Sequence, residues 1–437
     1  MTFQKISLSL GLSAMLTATL AAQAPTQTTP GAGNATAIQT AKNSPFVNSA
    51  YSFILSQVDQ LQNDNLRVQT YDAIANPETC ILHRANLTLA KKQAIVAQLL
   101  EEGLLNPADD KTFPGGLLAG VFPPVLNDGT ACPHLPQRFW SAPGSSFGGH
   151  HSYPGGLPVH ESNNDTADIN LAEEYRHVYG QSKDGLANVD RAGIVNPTPE
   201  TGSPSVLYID QDIILGAPLW HDWAKSIVFQ WNADGTEFQE LSIGGNGVTD
   251  DYGQAGNAET GGHHILSIAE AMKRGFSPAF VDTQACAHSA PTSGNEYKVV
   301  NWIRAAAIID GIDPVAKGFL VKDGNGNLRL PSLRQLGKTL LNATPSQTNI
   351  IAEYTIHNLS DADFTFSGPA VAAVQLVLAD LAPSFGYDPA DIANYNNKYR
   401  NVVLSNYSAE RLFILYSNQG TEGVSKEIKR LHNEGKL

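Results

Sequence analysis

The run Leu219-Trp220-His221-Asp222-Trp223-Ala224-Lys225 constrains this chain more than any other. It sets a His and an Asp side by side in an apolar stretch that reads as one helix, with Lys225 four residues after the His and on the same helix face. One His-Asp pair says little, because a buried His more often satisfies a core than binds a ligand. Its neighbours change the odds. Upstream lies His150-His151-Ser152-Tyr153-Pro154-Gly155-Gly156-Leu157-Pro158-Val159-His160-Glu161. Downstream come Gly261-Gly262-His263-His264, then Ala287-His288-Ser289, then Ile309-Asp310-Gly311. Eight of the 12 histidines fall between His150 and His288. Imidazoles mixed with carboxylates suit Mn, Fe, Co, Ni or Zn better than Ca or Mg.

These segments read as helices, and helices can aim side chains from several directions into one cavity. His264 precedes Ile265, Leu266 and Ile268, apolar positions at helical spacing. The run Val299 to Ile309 brings Asp310 to the end of another apolar helix, where a buried carboxylate needs a partner. A metal is the simplest one.

In the order His, His-Asp, His, His, Asp the chain resembles the HD-domain superfamily, across roughly residues 148 to 316. The stretch Gly149 to Glu161 is similar to the matching part of bacterial HD-domain exoribonucleases. The resemblance implies an all-α fold: an HD-domain helical core with N- and C-terminal helical extensions and a possible small β-hairpin insertion. By position it makes His160, His221, Asp222, His264, His288 and Asp310 the ligands of one or two divalent transition-metal ions. The family register selects His264 over His263, since neighbours on a helix point about 100° apart. Lys225 matches the family's lysine, facing a phosphate or another oxyanion. Trp223 and Ala224 replace the family's usual small residues, and Pro158 stands two residues before the first ligand.

The expected activity is metal-dependent hydrolysis of a small or nucleotide-like phosphate ester outside the cytoplasm. Asp222 and Lys225 are the expected catalytic residues, with Asp222 shared between metals. His150, His151 and Lys225 are expected to contact substrate, the two histidines binding phosphate or protonating the leaving oxygen. Glu161 is expected to orient a ligating His. Two alternatives stand beside this reading. HD-fold diiron oxygenases share the ligand order but cleave C–C or C–P bonds, and a metal-stabilised binding protein needs no turnover. His177, His357 and His432 read as solvated, and Asp313 as a helix-end carboxylate or a support to a ligand.

Lys5, the apolar stretch Ile6 to Leu20 and Ala22-Gln23-Ala24 fit a secretory signal peptide over residues 1–24. Its removal takes the formal charge from −14 to −15. So acidic a chain argues against a nucleic-acid groove, which needs Lys and Arg against phosphates. No later apolar run is expected to span a membrane, and the protein is expected to be periplasmic or secreted. In such a compartment Cys80 and Cys132 are able to bridge, while Cys286 reads as a buried small side chain. Residues 25–44 read as a flexible tether, 45–145 as an N-terminal helical extension and loop, 146–318 as the metal-binding core and 319–437 as a C-terminal helical extension. Phe238 to Ile243 is a candidate strand.

Overall fold

The computed structural model describes residues 31–179, 208–236, 239–245, 257–291, 295–331 and 351–437. The signal peptide expected over 1–24 and a helix expected from Ser332 to Leu341 lie outside them. The described residues are predominantly helical, as expected, with two small antiparallel ribbons.

The N-terminal layer holds α1 (Asn34–Lys42), α2 (Pro45–Val58), α3 (Asp64–Ala75), α4 (Leu89–Glu101) and two short helices, α5 (Asp109–Thr112) and α6 (Gly116–Val121). Local chemistry sets several starts. The Ser44 hydroxyl accepts from the Val47 amide ahead of Pro45, and the Asn63 side chain accepts from Leu66, each satisfying a first-turn donor. α1 corrects the tether reading of residues 25–44. Its small-residue helix shows no apolar period, yet Asn34, Ala37 and Ala41 are buried, and Asn34 donates to Pro136 O and accepts from the Trp231 amide, both at 2.9 Å.

The central part holds α7 (Gly156–Tyr179), α8 (Gln211–His221), α9 (Lys225–Val228), α10 (Gly262–Lys273), α11 (Pro278–Ala285) and α12 (Glu296–Asp310). β1 (Ser242–Ile243) pairs antiparallel with β2 (Thr260–Gly261) between α9 and α10, the place expected for a hairpin insertion. The candidate strand from Phe238 shrinks to those two residues of β1 within the described chain. A second ribbon, β3 (Val321–Lys322) with β4 (Leu328–Arg329), was not expected.

The C-terminal part holds α13 (Ala352–Ser360), α14 (Phe364–Leu381), α15 (Ile392–Tyr395), α16 (Asn401–Tyr407) and α17 (Ala409–Asn433), which is broken at Gly420. A tight 3-10 turn, Asp361–Asp363, joins α13 to α14. By length and apolarity the run Ala352–Phe385 is able to cross a membrane, contrary to expectation. The run is two helices joined by a polar turn, and α14 buries one face, with Val371, Val374 and Leu378, against α17.

The larger apolar core runs from Ile54 on α2 to Tyr354 on α13 and includes Trp220, Trp223 and Trp302. A second, with Val47, Val371, Tyr399 and Leu412, joins α2 to α14, α16 and α17. Packing thus crosses the expected segment boundaries at residues 145 and 318. α7 lies where these layers meet, in contact with α2, α8 and α13, and carries His160 there.

Candidate metal centre

His221 ends α8, and Asp222 is its C-cap rather than a residue of the same helix. The expected continuous helix from His221 to Lys225 is therefore corrected. The break has a local cause. The His221 ring donates from Nδ1 to Pro218 O at 2.8 Å, engaging the carbonyl that the Asp222 amide would use in a continued α-helix. The Asp222 amide turns to Trp220 O, and the Lys225 amide reaches Asp222 O at 2.8 Å. The Ala224 amide donates to Ser267 Oγ on α10, while Trp220 and Trp223 donate from their indoles to Thr70 Oγ1 and Ala73 O on α3. This turn points Asp222 and Lys225 at one place, and Lys225 Nζ contacts both Asp222 Oδ2 and Gly144 O.

Around Asp222 the ligand atoms fall into overlapping sets. In the first, His160 Nε2 lies 3.0 Å from Asp222 Oδ2 and 3.2 Å from Asp361 Oδ1, and His221 Nε2 lies 3.3 Å from each of the same oxygens. In the second, Asp222 Oδ1 lies 2.9 Å from His263 Nε2 and 3.9 Å from His288 Nε2, which is 3.8 Å from Asp361 Oδ2. Asp222 therefore presents one oxygen to each set, and Asp361 Oδ2 reaches towards His288 of the second. These spacings are those of ligands about 2.0–2.2 Å from a shared ion.

Two of the imidazoles are fixed by outer acceptors: His221 gives its Nδ1–H to Pro218 O and His263 gives its own to Glu240 Oε1, while His288 Nδ1 meets the Thr260 hydroxyl at 2.7 Å. Each turns its Nε2 to the carboxylates, the arrangement in which an outer partner orients a ligating ring. The buried atoms His221 Nε2, His263 Nε2 and Asp222 Oδ1 have no hydrogen-bond partner, while Asp222 Oδ2 meets Lys225. A cation is what such converging, unsatisfied acceptors fit, because a buried polar atom left unpaired is costly. These buried His/Asp groups could hold a metal ion.

The charges without a cation agree. Burial and Lys225 push the His160 pKa down, but Asp363, Asp222 and Asp361 hold it well above the ordinary value. Burial likewise opposes His221, yet Asp222, Glu161 and Asp361 raise it. Burial pushes Asp222 up, and His221, Lys225 and His263 overcome it to hold the carboxyl far below the usual range. Protons on these rings supply the positive charge that a metal would replace.

Two expected ligands are corrected. His264 points its Nε2 at Ala285 O, 3.1 Å away, and stacks on His288 with ring centres 4.1 Å apart. Its neighbour His263 faces Asp222, because Glu240 accepts from both the His263 amide and its ring. Asp310 is buried at the end of α12 but joins none of the ligand sets. Burial pushes its pKa up to about 8, and neither of its oxygens has a hydrogen-bond partner. The second carboxylate is Asp361, from the turn before α14.

The substrate and supporting residues divide differently too. His151 is buried with both nitrogens engaged, Nε2 to Asp363 Oδ2 at 2.7 Å and Nδ1 to Tyr153 OH at 3.2 Å, so it does not face a substrate. His150 is half-buried beside His160, its ring centre 5.0 Å away. Glu161 stands 3.5 Å from His221 Nδ1, behind the closer Pro218 carbonyl, and burial pushes it up to about 8. His357, expected to be solvated, is buried: its Nδ1 lies 3.2 Å from Asp168 Oδ2 and its ring packs edge-on against His221. Asp313 accepts from the Val315 and Ala316 amides in the turn that follows α12, and ends no helix. Asn164, one turn after His160, brings its amide within 3.1 Å of His160 Nε2 and was not foreseen.

Comparison of the chain with protein-family models, with curated proteins and with solved structures gives no match.

Proposed function

We propose that this chain is an HD-type metal-dependent phosphohydrolase acting on a small or nucleotide-like phosphate ester. The observation that carries the reading is the Asp222 carboxylate, which turns Oδ2 to His160 and His221 and Oδ1 to His263 while touching Lys225. Ions held there would be Mn, Fe, Co, Ni or Zn by donor type, and they supply a nucleophile from water at neutral pH and offset phosphoryl charge.

The protein's own groups do the rest. Asp222 joins the two ligand sets. Lys225, fixed between Asp222 and Gly144, brings a positive charge to the place where charge develops on a transferring phosphoryl group. His150 is the half-buried member of the His150-His151 pair and lies against the His160 ring. Burial holds its pKa down at about 2, so it acts as a neutral imidazole and not as the acid that protonates a leaving oxygen.

We place this activity outside the cytoplasm, in the periplasm or secreted. The Cys80–Cys132 disulfide supports that placement, since such bridges persist in oxidising compartments. The acidic surface supports a small-molecule substrate over nucleic acid.

The test is turnover of p-nitrophenyl phosphate and bis-p-nitrophenyl phosphate by the full chain with Mn, Co, Ni or Fe. Hydrolysis abolished by Asp222→Ala supports the proposal, and hydrolysis that survives the change overturns it. Oxygen consumption on adding ferrous iron, without ester cleavage, would assign the same ligands to a diiron oxygenase. Metal binding with neither activity would leave a metal-stabilised binding protein.

A further inference from the structure

His221, His263 and His288 each engage Nδ1 in a hydrogen bond, and His160 does not. Its Nδ1 is buried without a hydrogen-bond partner and faces Asp363 Oδ1, also buried and without one, at 3.5 Å. A ring N–H donating to a carboxylate closes to about 2.7–2.9 Å. Two ligands at a tetrahedral angle on one ion, each about 2.1 Å from it, stand roughly 3.4 Å apart.

The third ligand is already in place. A His150 ring nitrogen lies within 4.8 Å of both His160 and Asp363 ligand atoms. Asp363 is held in position from behind, because His151 donates from Nε2 to Asp363 Oδ2 while its other nitrogen meets Tyr153 OH. The backbone makes this division of labour. His151 has a φ of 51°, a left-handed conformation that a His adopts only at a cost. It directs His151 inward to Asp363 and leaves the adjacent His150 beside His160.

From this geometry we infer a third divalent-metal position, bounded by His150, His160 Nδ1 and Asp363 and joined to the first ligand set through the His160 ring. An ion there takes the Nδ1 lone pair, and the Nδ1 proton leaves to solvent. His160 becomes an imidazolate shared by two cations through Nε2 and Nδ1, with no change of oxidation state. The neutral His150 ring needs no deprotonation to bind. Three divalent ions against the carboxylates of Asp222, Asp361 and Asp363 leave net positive charge, which suits a phosphate-bearing substrate. The inference rests on the metal-centre reading, and its test separates the two.

The experiment is metal content per chain, by elemental analysis of the full protein after loading with Mn, Co or Zn and desalting, for wild type, His150→Ala and Asp363→Asn. Thermal unfolding of each variant checks that it is folded. His150 is half-buried, so its truncation disturbs the core least. The inference expects about three equivalents in wild type and about two in each variant. Two equivalents in all three proteins would overturn the third position and leave the two-set centre standing, with Asp363 only orienting His160. No metal in wild type would overturn both.

Discussion

His263 Nε2 lies 2.9 Å from Asp222 Oδ1, on the oxygen that His160 and His221 leave free. That contact makes His263, and not His264, the second-set histidine. His263→Ala is expected to remove one metal equivalent and lower ester turnover at least about 100-fold. His264→Ala should keep the metal content and instead destabilise the fold by about 2–4 kcal/mol, because its ring packs between His288 and Trp302. Elemental analysis and denaturant unfolding of the two variants separate these outcomes.

The carboxylates divide in the same way. Asp361→Asn should lower metal content and turnover together, since Asp361 contacts His160, His221 and His288. Asp310→Asn should leave metal content unchanged, because Asp310 lies outside the ligand sets. Equal loss of metal in both variants would contradict the assignment.

Glu240 fixes His263 by accepting from its ring and its amide. Glu240→Gln is expected to weaken metal binding by about 10–100-fold without changing the number of ions at saturation. Titration of the apoprotein with Co(II) or Zn(II) reads both quantities.

Much of this centre was legible in the sequence. Of the residues that the ordered motifs singled out, His160, His221, Asp222 and His288 fall in the groups that could hold an ion, and Lys225 touches Asp222. The errors came from what local pattern does not encode. His263 and His264 are adjacent, and the choice between them is made by Glu240, 23 residues away, whose carboxylate turns the His263 ring. Asp310 satisfied the pattern of a buried carboxylate after an apolar helix, whereas Asp361 sits in a short polar turn reached only through tertiary packing. His357 offered no motif at all and is buried by α13 against α7. α1 was missed because Asn34, Ala37 and Ala41 bury it without an apolar stripe.

The floor beneath α10 predicts a pH effect. Glu270 accepts from the Leu82 and His83 amides, the His83 ring and Arg274 Nε. Burial pushes its pKa up, but those donors and Arg274 bring it from 4.5 down to about 2. The folded pKa is the lower one, so this stabilisation is present above the unfolded value and is lost as pH falls from about 4.5 towards 2. Glu270→Gln is expected to cost on the order of 3 kcal/mol at pH 7, with the gap to wild type closing over that acid range in denaturant titrations.

Cys80 and Cys132 are joined across 52 residues, in the layer that α10 packs against. Closing so long a loop stabilises the fold by about 4 kcal/mol through the unfolded chain. Reduction should lower the unfolding midpoint while metal content stays the same, since neither cysteine belongs to a ligand set.

The central claim is that Asp222 joins a metal centre, and the most direct measurement is the transition-metal content of wild type beside Asp222→Ala, with both shown to be folded by circular dichroism. At least about two equivalents in wild type, falling below one in the variant, is the predicted result. A folded variant that keeps the wild-type metal content, or a wild type that takes up none after loading, would contradict it.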